Sequence, residues 1–274
     1  MKRHIVFFIL ILTLFTNWSF GQNTIEAKDK VLVMDFESAY VKARKVQIYL
    51  PKEYEENPSK HFPVLYMQDG QNLFDPQTAY KGRAWELDKS SRNAIKNNEI
   101  SPCIIVGISN VDTRFFEYFP QKATVYLTKD DYVLMEQGGL EQASDTSNYL
   151  ADNYLKFLVN ELKPFIDKNY RTKTEAASTA IGGSSSGALI SLYAICEYPQ
   201  IFGQAACIST HWPVLFDNEF ISPSESIRTY LKHKLPDPKT HRIYFDHGTL
   251  AIDRFYEVHQ IKVDQLMLEK GYIK

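Results

Sequence analysis

Gly183-Ser184-Ser185-Ser186-Gly187 places a serine at the centre of a Gly-x-Ser-x-Gly spacing. Nucleophilic attack by Ser185 is the chemistry this spacing allows. A sharp turn from strand to helix lifts the central side chain above a sheet, and small neighbours let the backbone pack around it. The N–H of Ser186, at the new helix N-terminus, then faces an oxyanion forming beside Ser185. Taken alone, a Gly/Ser run describes a flexible loop equally well. Context decides for the turn. Residues 178–181 form a small, apolar run suited to a buried strand, and 188–195 are apolar almost all round, as a buried helix is. Tyr198-Pro199 closes that helix.

The elements that must carry this turn are legible as apolar runs. Val64-Leu65-Tyr66-Met67, Cys103-Ile104-Ile105-Val106-Gly107-Ile108, Ala205-Ala206-Cys207-Ile208 and Ile243-Tyr244-Phe245 are continuous runs separated by helical patterns. That alternation implies a mostly parallel sheet with helices on both faces. Val46, Ile48 and Leu50 alternate with polar neighbours before Pro51, which reads as a half-buried strand near a sheet edge. Leu155, Leu158, Val159, Leu162 and Ile166 predict a helix over about 148–168, with Pro164 as a kink or stop. A last helix is expected over about 253–270, capped by Gly271. Between 110 and 146 the pattern weakens into an aromatic, charged stretch that reads as a long cleft-building loop.

Composition bounds the function. The chain has 274 residues, 44% of them hydrophobic, and a net charge of -2. One α/β domain over 22–274 fits this, and nucleic acid is not an expected partner. Cys103, Cys196 and Cys207 fall inside predicted elements and read as buried free thiols. The seven histidines are scattered without metal-ligand spacing, so neither a metal nor another cofactor is expected. Lys2, Arg3 and His4, an apolar run over 5–15 and Ser19-Phe20-Gly21 predict a signal peptide over 1–21, hence a secreted or periplasmic protein. That apolar run is too short for a comfortable membrane span, and an uncleaved anchor is the other reading.

Several stretches resemble the esterase-D-like group of α/β-hydrolases, which includes feruloyl, acetyl-xylan and siderophore esterases and S-formylglutathione hydrolase. They are Val64-Leu65-Tyr66-Met67-Gln68-Asp69-Gly70-Gln71-Asn72-Leu73-Phe74-Asp75, Glu161-Leu162-Lys163-Pro164-Phe165-Ile166-Asp167 with Tyr170-Arg171-Thr172, the Gly183 to Gly187 turn, Tyr198-Pro199-Gln200-Ile201-Phe202-Gly203, and Tyr244-Phe245-Asp246-His247-Gly248-Thr249. The resemblance implies Ser185 as nucleophile, and the backbone N–H groups of Ser186 and Gln71 as oxyanion donors. A plain Asp-Gly turn is the other reading of Asp69-Gly70. It implies Asp253 as the acid, with Asp246 in reserve. A helix N-cap is an alternative or additional role for Asp253. The implied substrate is a small-molecule or carbohydrate-linked ester. Trp212 is read either as a wall of the pocket or as ordinary packing, and Trp85 as core, with a substrate contact as the other reading.

One part of the family pattern is not found. The order in this fold is serine, acid, histidine, and the last strand, the histidine loop and the closing helix are expected after Gly271, where the sequence given ends at Lys274. The expectation is therefore a truncated, inactive or severely impaired chain. His211 sits where a cleft would be but out of triad order; His259 and His247 are weaker substitutes; His61, His233 and His241 read as surface positions. Three functions stay open: a serine carboxylic-ester hydrolase, a non-catalytic binding protein on the same scaffold, and an acyltransferase.

Overall fold

The computed structural model describes residues 29–215 and 222–273; the signal-peptide reading lies outside them. Seven strands form one sheet in the order β1-β2-β4-β3-β5-β6-β7. They are β1 Lys30–Phe36, β2 Arg44–Leu50, β3 Val64–Gln68, β4 Ile104–Ile108, β5 Thr179–Ser184, β6 Gln204–Ile208 and β7 Arg242–Asp246. β1 and β2 run antiparallel to their neighbours, and β4, β3, β5, β6 and β7 are mutually parallel. This is the mostly parallel α/β sheet that the apolar runs predict. The described helices are α1 Glu53–Glu56, α2 Leu87–Lys96, α3 Arg114–Tyr118, α4 Lys129–Gln137, α5 Ala151–Lys156, α6 Lys163–Asn169, α7 Ser186–Glu197, α8 Ser222–Lys234 and α9 Glu257–Glu269.

The strands are buried on both faces because alternate side chains serve different layers. Ile48, Tyr66, Val106 and Ile181 pack under α5 and α7 in the main core, whereas Tyr49, Met67 and Ile105 meet Leu73 and Leu87 on the other face. β2 differs from its expected half-burial. β1 covers its outer edge, so Gln47 is as buried as its apolar neighbours. The 110–146 stretch differs more. It folds into α3, a 3-10 turn over Gln121–Tyr126 and α4, and sends Tyr118, Phe119, Ala123 and Met135 into the core. Its aromatic side chains obscure a helical period that is too short to read from sequence.

The expected helix around 148–168 is continuous but not uniform. A π-helical turn over Phe157–Leu162 joins α5 to α6, just before Pro164, whose missing N–H suits a first helical turn. Gly271 has φ +89 and ends α9 as expected. All three cysteines are free, with Cys196 and Cys207 buried and Cys103 partly so. Among the described residues no helix is long and apolar enough to cross a membrane, and no cluster of side chains could hold a metal ion.

Candidate active site

The strand register sets the site. Ser184, Ile208 and Asp246 lie side by side at the carboxyl ends of β5, β6 and β7. The loops that follow these strands and β3 therefore share one edge. The sheet also changes direction there, because β4 lies on one side of β3 and β5 on the other. A crevice outside strand carboxyl ends at such a switch point is where this class of sheet binds ligands.

Ser185 occupies φ 60 and ψ −125 between β5 and α7, a conformation that non-glycine residues seldom adopt. Its N–H donates to Ile208 O at 3.0 Å, and its carbonyl accepts from Ala188 N at 3.0 Å, so both ends of the turn are tied down. Small residues are obligatory around it. A Cβ on Gly183 would lie 2.7 Å from Gly187 O and 2.8 Å from Gln68 Cβ. Ser185 itself is half-buried and reachable. The first N–H groups of α7 have no intrahelical partner and open toward it.

The turn after β3 faces the elbow. Asp69 is left-handed at φ 56, and Gly70–Asn72 forms a single 3-10 turn. Gly70 lies so close to β4 that a Cβ there would meet Gly107 C and Ile108 N at 2.5 Å. Asn110 grips this turn twice, donating its Nδ2 to Asp69 Oδ1 at 2.5 Å and its backbone N–H to Gln71 Oε1 at 3.1 Å. Arg114 forks onto the same carboxylate, with Nε to Oδ1 at 2.8 Å and Nη2 to Oδ2 at 2.7 Å.

Asp253 Oδ2 accepts from Ser209 Oγ at 2.7 Å and Gly248 N at 2.9 Å. Asp246 Oδ1 accepts from the Ser209 N–H at 3.1 Å. Both carboxylates thus meet Ser209 beside the crevice. Two residues that sequence reasoning did not single out, Tyr256 and Ser209, complete the cluster. The Tyr256 hydroxyl lies near the Ser185 side chain, which lowers its pKa against the effect of burial. Tyr256 Oη lies 2.9 Å from His211 Nδ1. Burial pushes the Tyr256 hydroxyl up, Asp253 adds to this, and the Ser185 hydrogen bond opposes it. Burial pulls His211 down to about 4, so its ring is neutral at pH 7 and can accept the Tyr256 proton.

The other sequence-picked residues scatter. His259 is buried with Nδ1 2.8 Å from Ser224 Oγ, in the helix layer. His241 is tied to Pro199 O at 2.8 Å, and His61 and His233 are exposed, as expected. His247 lies in the acid loop with Nδ1 2.9 Å from Gly248 O. Of the two readings of Trp212, packing holds: it is fully buried and donates Nε1–H to Gln260 Oε1 at 2.9 Å. Trp85 is not core. It is 40% exposed, and its backbone N–H donates to Asn72 O in the turn after β3. A separate groove of about 360 Å³ lies against β7 and α9, between Tyr244, Met267 and Tyr272, and shares no lining residue with the elbow.

The family model described as "Putative esterase" matches residues 38–264. The chain belongs to this esterase family. YbbA of Bacillus subtilis strain 168, an uncharacterised protein, is 28% identical over 237 residues, covering 84% of this chain and 80% of that protein. Among solved structures, a ferulic acid esterase superposes with a TM-score of 0.62 at 19% identity, covering 90% of this chain and 88% of that one. An IroE-like serine hydrolase from Shewanella oneidensis superposes with a TM-score of 0.64 at 18% identity, covering 89% of this chain and 70% of that one. These two solved structures share the α/β-hydrolase fold with this chain.

Proposed function

We propose that the chain is a carboxylic-ester hydrolase that works through an acyl-enzyme on Ser185. Ser185 Oγ attacks the ester carbonyl carbon, and the oxygen becomes an oxyanion held by the N–H groups of Ser186 and Gln71. The carbon–oxygen bond breaks, the alcohol leaves with a proton, and water then releases the acid and frees Ser185. Asp253 takes the acid role of the triad, with Asp246 beside it. The observation that carries this reading is the strained Ser185 turn at the mouth of α7, half-exposed and opposite the turn after β3. Membership of the esterase family supports it.

Residues 22–274 make one catalytic domain in this reading, exported behind a signal peptide at 1–21. The substrate is a small-molecule or carbohydrate-linked ester, in line with the ferulic acid esterase among the structural relatives. A second reading, binding without catalysis, draws on one observation: the hydrogen bonds that Asp253 accepts come from Ser209 and Gly248 rather than from a histidine, and His211 pairs with Tyr256. Without such a histidine the nucleophile stays protonated, and only roughly 10³-fold acceleration over water remains from the oxyanion hole and binding.

The experiment is labelling with a fluorophosphonate, followed by peptide mapping and by hydrolysis of p-nitrophenyl acetate. Phosphonylation at Ser185, lost in Ser185→Ala together with any hydrolysis, supports the esterase. An unlabelled Ser185 in a folded protein selects the binding reading.

A further inference from the structure

The Asp69 carboxylate stands in an electrostatically awkward place. It projects from the turn that carries Gln71 toward the first turn of α7. A Cβ on Gly187 would lie only 3.2 Å from Asp69 Oδ2. Gly187 is two residues past Ser185, so this carboxylate borders the first turn of α7, which the oxyanion of the proposed reaction would face. An uncompensated carboxylate there would disfavour the tetrahedral intermediate that the α7 N-terminus is placed to stabilise.

Arg114 addresses this directly. Its Nε and Nη2 take both oxygens of Asp69 in a fork, a geometry a lysine cannot reproduce. Burial pulls the guanidinium down, but the hydrogen bond and charge of Asp69 carry it above its ordinary value, so it stays charged. Its Cζ lies 5.1 Å from the Tyr118 ring centroid, which fixes the fork from behind. Asn110 holds the same carboxylate and, through its own N–H, the Gln71 side chain. Four donor groups from the segment after β4 thus hold a turn after β3. The left-handed φ 56 of Asp69, which costs backbone energy, is retained under that grip.

We propose that Arg114 is a positioning residue for the Ser185 reaction, which neutralises Asp69 and, with Asn110, fixes the turn that carries the Gln71 N–H against the elbow. This rests on the esterase reading of Ser185. Once Arg114 is removed, a bare carboxylate borders the first turn of α7 and the turn after β3 loses its main anchor. The first of these effects has a signature that ordinary structural damage lacks. Removing the carboxylate as well should restore part of the loss.

The test compares Arg114→Met, Asp69→Asn and the double variant with the unaltered chain. Phenylboronic acid, whose adduct on a serine is a tetrahedral anion, is the probe, and its Kd is measured with Ser185→Ala as the reference for non-specific binding. Arg114→Met should weaken boronate binding by about 10²-fold, the scale of losing one oxyanion donor. The double variant should regain at least tenfold of that. A double variant no tighter than Arg114→Met overturns the charge-compensation role. Where esters are turned over, kcat should follow the same order with KM nearly constant.

Hydrogen exchange at the Asn72, Leu73 and Asn110 amides is read in the same samples. It should rise at least tenfold in Arg114→Met while the Tm moves by only a few degrees. Unchanged exchange overturns the inference whatever Ser185 does. If the unaltered chain binds boronate no better than Ser185→Ala, the esterase reading fails instead, and exchange alone decides whether Arg114 anchors the turn.

Discussion

Ser185 holds a conformation that a glycine would adopt with less strain, and only the turn around it keeps it there. Two substitutions separate strain from chemistry. Ser185→Ala removes the hydroxyl but keeps the strained Cβ, so its stability should match the parent. Ser185→Gly removes both and should be more stable than Ser185→Ala by about 1 kcal/mol, the strain released being partly offset by a freer unfolded chain. Urea unfolding of the pair checks this, and equal midpoints would mean that the turn stores no strain. At this scale the sequence was informative where chemistry is local. The Gly-x-Ser-x-Gly turn and Asp69-Gly70 can be read because their neighbours along the chain enforce their shape. Arg114 and Tyr256 could not be. Arg114 meets Asp69 across 45 positions and Tyr256 meets His211 across 45, and nothing in the local pattern of either marks the partner. The position of Tyr256 three residues after Asp253, on the same helical entry, was the one available hint.

Among the elements, the parallel strands were the clearest feature, since burial on both faces writes itself as an unbroken apolar run. β2 misled because alternation is also what a buried strand shows when a polar residue such as Gln47 is covered by its neighbour. Helices α3 and α4 were missed because five and nine residues give too few turns for a period to emerge. One contact between elements has a sharp consequence. Gly70 opens the turn that carries the proposed oxyanion donor Gln71 and rests on the backbone of β4, with Gly107 C and Ile108 N both 2.5 Å from any Cβ placed there. Backbone in a central strand cannot move aside as a flexible side chain can. Gly70→Ala should therefore cost about 1–3 kcal/mol, the range for forced overpacking. It should also push the Gln71 N–H away from the elbow, lowering the rate of Ser185 phosphonylation beyond the stability effect. A stable variant with an unchanged labelling rate would show that the turn can shift without loss.

The whole molecule carries a second consequence of its buried groups, visible in how it should respond to acid. His211 and His259 are 3% and 1% exposed. Burial pulls each from 6.5 to about 4. Arg114 reinforces this at His211, where the Val214 backbone and Asp253 oppose it; Arg228, Lys262 and His211 itself reinforce it at His259. Both rings are neutral when folded and become protonated near pH 6.5 when unfolded. Between those values the unfolded chain holds more protons, so stability is full above pH 6.5 and falls as pH drops toward 4. Each histidine contributes a slope of about 1.4 kcal/mol per pH unit at most. Carboxylates with lowered values, such as Asp112 and Glu136, start from 3.8 and 4.5 and act in the same direction only lower down. The window from about pH 5.5 to 6.5 therefore reports chiefly on the histidines. Urea midpoints taken across it should give a slope approaching two protons for the parent and one for His259→Asn, whatever that substitution costs at pH 7. An unchanged slope in His259→Asn would mean that His259 takes up its proton without unfolding. The neutral His211 ring that pairs with Tyr256 is, on this account, one of the two places where acid first destabilises the molecule.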